Sequence, residues 1–112
     1  MACIFCDIAA KKIPSNIVHE DEHAIAFHDI APRAPKHILV IPRRHLDNLD
    51  EAQKADAQLL GHLLLLASRV AAEAGLTAGY RVVINRGEDG GETVQHLHVH
   101  VLGGRGMAWP PG

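Results

Sequence analysis

The sequence predicts an α+β domain: an antiparallel sheet of five short strands covered by one long and one short helix. Three observations carry that expectation. Leu59, Leu63, Leu66 and Val70 step by four, three and four residues, which stacks them on one helix face. Short β-branched runs lie on both sides of this stripe. At 112 residues the chain is long enough for one modest core, so residues 1–112 read as a single domain.

In chain order, Ile4 to Lys12 is expected to be a short helix, closed by Pro14, which disfavours helical geometry in the residue before it. Val18–Glu20 and Ala24–Asp29 read as a hairpin around the acidic Glu20-Asp21-Glu22 turn, and His37–Pro42 as a third strand. Ala31-Pro32-Arg33-Ala34-Pro35 forms an extended connection between them. The long helix is expected from about Asp50 to Ala74, with Gly75 as its stop. Tyr80–Asn85 and Leu97–Leu102 supply the last two strands, joined by the glycine-rich loop Arg86–Thr93.

Composition excludes several classes of function. Apolar residues make up 47% and charged residues 21%, and a net charge of -2 with both signs mixed offers no basic stripe for nucleic acid. No apolar run approaches the ~18 residues of a membrane span, and the N-terminus lacks the pattern of a secretory signal, so a cytoplasmic address is expected. In that compartment a Cys3-x-x-Cys6 pair points to a metal or redox role rather than a disulfide framework.

Three of the nine histidines stand two apart in Gln95-His96-Leu97-His98-Val99-His100-Val101-Leu102. Strand alternation would put His96, His98 and His100 on one face and Leu97, Val99 and Val101 on the other. At roughly 3.3 Å per residue, adjacent imidazoles would lie about 6.6 Å apart and the outer pair about 13 Å. With Zn–N bonds of about 2.0–2.1 Å, one ion could take two of them at most. A plain histidine-bearing solvent face explains one such residue; three beside a glycine-rich loop favour a site. Imidazole suits phosphate chemistry because an unprotonated nitrogen can attack while a protonated neighbour steadies oxygen charge. Gly90-Gly91 could let backbone N–H groups converge on an anion, with the Thr93 hydroxyl beside them; taken alone, the loop is equally an ordinary surface turn.

His96-Leu97-His98-Val99-His100-Val101-Leu102 matches the signature of the histidine triad superfamily. Phe27-His28-Asp29-Ile30, Ala34-Pro35-Lys36-His37, Gly79 to Asn85 and the tail Leu102 to Gly112 resemble its Hint branch, the histidine triad nucleotide-binding proteins, in the same order. The resemblance implies a HIT-like fold whose two five-stranded sheets join into a ten-stranded one in a homodimer, with tail residues 103–112 reaching toward the partner. It also implies cleavage of purine nucleoside phosphoramidates and acyl-nucleotides, with no metal needed for catalysis. Carried onto this chain, His98 attacks the α-phosphorus, the carbonyl of His96 orients it, His100 holds a phosphate oxygen, and His37 supports it from behind. Asp29 takes the ribose hydroxyls, while Asn85 and the amides of Gly91, Glu92 and Thr93 line the phosphate. The Thr93 hydroxyl lies near the leaving group. Phe5, Ile8, Phe27, Ile30 and Leu39 enclose the base, and Trp109 belongs to the tail at the partner's site. Glu92 stands where the branch usually has glutamine, which would bring negative charge toward an anionic substrate.

The Cys pair departs from the best-known Hint members but is similar to wider relatives with a structural zinc, which implies ligation by Cys3, Cys6, His45 and His96. The other reading is two reduced thiols packed under the opening helix. Three functions are open at this level: a phosphoramidase working through His98, a purine nucleotide-binding interaction module with incidental turnover, and a metal-dependent hydrolase using His37, His98 and His100.

Overall fold

A computed structural model describes residues 3–112. Its five strands are β1 (Ile17–Glu20), β2 (Ala24–His28), β3 (Lys36–Pro42), β4 (Tyr80–Val83) and β5 (Val99–Gly103). They form one antiparallel sheet in the order β1-β2-β3-β5-β4. Helix α1 (Ile4–Ala9) and helix α2 (Ala57–Glu73) cover opposite faces. The α+β architecture expected from the sequence is the one observed.

β3 is central and has a helix on each side, so from His37 to Pro42 it is buried without interruption. That is why its sequence is a continuous apolar run rather than an alternation. Ile38 and Val40 join Ala24, Ala26, Val99 and Val101 against Leu63, Leu66, Ala67, Val70 and Ala71 of α2. Leu39 and Ile41 point the other way, to Phe5, Ile8, Ile25 and Phe27. His37, His98 and His100 are on this second side.

Element ends differ from the expectation for identifiable reasons. α1 stops at Ala9, not Lys12, because Lys11 adopts φ 60° and the Lys11 and Lys12 amides donate back to Ile8 and Asp7. The segment expected to open the long helix at Asp50 is instead two 3₁₀ turns, Leu49–Glu51 and Lys54–Asp56. The Asn48 side chain caps the first; on the second the Gln53 N–H donates to the Asp56 carboxylate and the Asp56 N–H returns to the Gln53 carbonyl. Gly75 does end α2: it has φ 80°, and the Gly75 and Leu76 amides return to Ala72 and Ala71. His62, amid the leucines, donates from Nε2 to Asp21 Oδ2 (2.9 Å), tying α2 to the β1–β2 turn.

β5 begins at Val99 rather than Leu97, and β4 ends at Val83 rather than Asn85. Pro42 has no N–H to extend the β3–β5 ladder, and its carbonyl accepts from the His96 side chain instead. The chain therefore turns inward at His96, which is 0% exposed. The three imidazoles share the α1 side as expected, all near Phe5 or one another, but His98 and His100 approach to 4.9 Å between ring centres, closer than the even spacing of about 6.6 Å, and His96 joins Cys3, Cys6 and His45.

Candidate active site

A cleft of about 400 Å³ opens on the α1 side of the sheet. Phe5 and Ile8 from α1, Phe27 from β2 and Leu39 from β3 form an apolar wall, with Ile30, 93% exposed, at the rim. Asp29, His37, Asn85, Gly91, Thr93, His98 and His100 supply the polar lining. A flat apolar slot ending in a few convergent polar groups is the general form of a small-molecule site.

The proton positions on the histidines follow from their fixed partners. The His96 carbonyl can only accept, so at 2.7 Å it takes the Nδ1–H of His98 and leaves Nε2 of that ring with a lone pair. The backbone N–H of Arg33 can only donate, and it is 3.0 Å from Nδ1 of His37. His37 therefore carries its hydrogen on Nε2 and donates it to Nδ1 of His100 (2.9 Å). His100 is left with an Nε2–H that is buried and has no partner among the described residues. Burial, then the nearby charges of His98 and His37, push His100 down to about 4, so this donor is neutral at physiological pH. Burial likewise lowers His37. One imidazole thus offers an electron pair and its neighbour a hydrogen, in contact with each other.

The geometry bears on two expected roles. Asp29 Oδ1 already accepts from the Ala31 N–H (2.8 Å), and Oδ2 is 3.5 Å from His37 Nε2. The carboxylate is held at the cleft by its own loop rather than left wholly free for two hydroxyls. The Gly91 and Glu92 amides donate within the loop, to Glu88 and Gly87, and so do not converge on the cleft. Gly90 is a packing requirement, since a Cβ there would lie 2.4 Å from the Arg86 carbonyl oxygen. The Glu92 carboxylate accepts from Gly87 N–H (2.9 Å) and pairs with Arg86 (3.3 Å), which turns its charge away from the cleft lining. Trp109, 82% exposed, is also absent from the lining of its own chain's cleft.

Behind the cleft, the ligand atoms of Cys3, Cys6, His45 and His96 all lie within 4.8 Å of one another. His96 Nε2 donates to the Pro42 carbonyl (2.9 Å), and His45 Nε2 pairs with Asp47 (2.6 Å). With the Nε2 hydrogens directed outward, the Nδ1 atoms face each other 3.1 Å apart, with Cys3 Sγ 3.4 Å from that of His96 and Cys6 Sγ 3.3 Å from that of His45. Facing lone pairs repel unless a cation or a thiol proton lies between them. Two sulfurs and two nitrogens with their outer hydrogen bonds already made fit a tetrahedral Zn²⁺.

The cleft also includes Ile4, Ile13, Pro14, Arg33 and Val94, which sequence reasoning did not select. Ile4 had a usable signal, being one helical turn before Ile8. The Arg33 amide had none, because a backbone donor leaves no trace in residue type.

A model of the HIT domain matches residues 10–107. The chain is 57% identical over 109 residues to an uncharacterized HIT-like protein of Synechococcus elongatus, covering 97% of this chain and 96% of that one. Among solved structures it is similar to a HIT family hydrolase from Legionella pneumophila, with TM-score 0.96 and 45% identity, covering 99% and 100% of the two chains. A histidine triad nucleotide-binding protein from Candida albicans is similar at TM-score 0.83 and 30% identity, covering 97% and 83%.

Proposed function

The chain belongs to the HIT domain family, and on that premise we propose that it is a purine nucleoside phosphoramidase acting through a covalent nucleotidyl-histidine at His98. The observation that carries this reading is the 2.7 Å hydrogen bond from His98 Nδ1–H to the His96 carbonyl, which leaves Nε2 as the cleft's nucleophile. Kinship with a HIT family hydrolase and with a histidine triad nucleotide-binding protein supports it.

In this mechanism the base enters the slot of Phe5, Ile8, Phe27, Ile30 and Leu39, and Asp29 accepts from the ribose. The His98 Nε2 pair forms a bond to the α-phosphorus as the P–N bond breaks, and the departing nitrogen takes a proton from water. His98 keeps its Nδ1 hydrogen, so the adduct is an imidazolium stabilised by the His96 carbonyl. His100 Nε2–H donates to a phosphate oxygen, a charge-stabilising role preorganised by His37 and Arg33. Asn85 and the Thr93 hydroxyl complete the polar rim. Water then attacks phosphorus, restores the neutral ring and releases the nucleoside monophosphate.

The reading includes a structural Zn²⁺ held by Cys3, Cys6, His45 and His96, which would cross-link α1 to the segment before β5 and take no part in the displacement. It also includes a homodimer. β4 is an edge strand with Tyr80 and Val82 exposed, and an unpaired edge is the natural place for two sheets to join.

Quenching a reaction with adenosine phosphoramidate and mapping the adduct by mass spectrometry tests the proposal. A nucleotidyl group on His98 is expected. Release without any adduct would point to direct, metal-dependent water attack, and binding without release to an interaction module.

A further inference from the structure

Among the described residues that line the cleft, Arg33 is the one permanent cation and Asp29 the one carboxylate. The arginine is held there by its own backbone: its N–H donates to His37 Nδ1 (3.0 Å), and its carbonyl accepts from the Arg105 guanidinium (3.0 Å). Its exposed side chain has no hydrogen-bond or ion-pair partner among the described residues. Every other arginine is engaged, Arg43, Arg44, Arg69 and Arg86 with carboxylates, Arg81 and Arg105 with backbone carbonyls. After burial, the Arg33 charge is among the causes that lower His37, the ring that also faces Asp29 Oδ2 at 3.5 Å. The guanidinium therefore belongs to the Asp29 side of the cleft.

That side is half served by the carboxylate alone. Asp29 Oδ1 already accepts from the Ala31 N–H, so Oδ2 is the oxygen left open, enough for one ribose hydroxyl. A guanidinium accepts nothing and donates from a planar fork that matches a phosphate at two points. We propose that Arg33 is a specificity residue selecting nucleotides whose ribose carries a phosphate on its 2′- or 3′-oxygen, in addition to the 5′-phosphorus that faces His98. The inference rests on the placement of the ribose at Asp29 in the proposed function. One hydroxyl then donates to Asp29 Oδ2, and the neighbouring oxygen turns its phosphate to the Arg33 fork, whose charge offsets repulsion between that phosphate and Asp29. The two isomers share this chemistry; which hydroxyl stays with Asp29 decides between them. Events at the 5′ end are the same for both.

The test measures binding of AMP, adenosine 3′,5′-bisphosphate, adenosine 2′,5′-bisphosphate and GMP to the full chain, Arg33→Gln and Arg33→Lys by calorimetry. Both variants keep the backbone N–H that serves His37. At least one bisphosphate is expected to bind the parent about tenfold or more tighter than AMP, the scale of a charge-assisted hydrogen bond. Arg33→Gln should abolish that advantage, and Arg33→Lys, with the charge but not the fork, should retain part of it. Each protein is judged by a ratio of two ligands, so a general change in the site cancels. Bisphosphates no tighter than AMP overturn the inference, as does an advantage that survives in Arg33→Gln. A loss confined to GMP in Arg33→Gln assigns the guanidinium to the base and overturns it equally. Adenosine 5′-phosphoramidate with and without a 3′-phosphate is assayed alongside. If neither leaves an adduct on His98, the phosphoramidase reading fails, while the affinity ratios still decide the role of Arg33.

Discussion

His37 Nε2 stands 2.9 Å from His100 Nδ1, and the direction of the hydrogen between them is fixed from behind by the Arg33 amide. A backbone N–H cannot reverse its role as a side chain can, so the whole series from Arg33 to the His100 Nε2–H runs one way. His98 is anchored by the opposite kind of backbone group, a carbonyl. Two neighbouring imidazoles thereby acquire opposite characters.

Replacing His98 by alanine removes the attacking nitrogen and leaves the apolar slot intact. Turnover of an adenosine phosphoramidate is expected to fall more than the ~100- to 1000-fold that follows loss of one oxyanion donor. AMP binding, followed by calorimetry, should persist. Turnover at the parental rate would remove His98 from the mechanism.

Acid should destabilise the fold. His100 titrates at about 4 when folded against 6.5 ordinarily, and burial also lowers His37. Between those pH values the unfolded chain binds more protons than the folded one, so stability is complete above pH 6.5 and declines as pH falls toward 4. Melting temperatures across this range should fall, and more gently for His100→Gln. An equal slope in that variant would show that His100 is not a source of the decline.

Asp29→Asn takes a negative charge from the cleft, at the position proposed for the ribose. A hydrogen bond to a charged acceptor is worth about 1.5–3 kcal/mol, so KM for the ribonucleotide substrate should rise roughly 10- to 100-fold. The preference for ribo- over deoxyribo-substrates should shrink with it. Steady-state kinetics on the substrate pair checks both.

Leucines of α2 should separate by face. Leu63 is 1% exposed in the layer against the sheet and Leu65 is 74% exposed. Leu63→Ala should cost about 2–5 kcal/mol. Leu65→Ala should stay within about 0.5 kcal/mol in dilute monomer, read by denaturant unfolding.

Where residue type and period decide structure, the sequence was readable. The α2 stripe, the Gly75 stop and the five strands are such cases, and so is the alternation that sends Val99 and Val101 to α2 but His98 and His100 to the cleft. The shared face of the triad was legible too, whereas its uneven spacing was not: the His96 ring is held by the Pro42 carbonyl, 54 residues away in the chain. Of the three loop amides expected at the phosphate, those of Gly91 and Glu92 are spent internally, because Gly90 and Gly91 permit several turns and the one adopted uses these hydrogens. The roles of Arg33, Pro42 and the His96 carbonyl are played by backbone atoms, which every residue carries. The side chains that gather at the cleft were therefore legible, whereas the groups that orient them were not.

The chain has a single tryptophan, Trp109, which projects almost bare from a tail pinned by Arg81 through the Ala108 carbonyl (2.9 Å). Its indole is a built-in optical gauge. Emission from the isolated chain should be that of a water-bathed ring, and a blue shift on raising concentration would register a second copy closing over it, with no label attached.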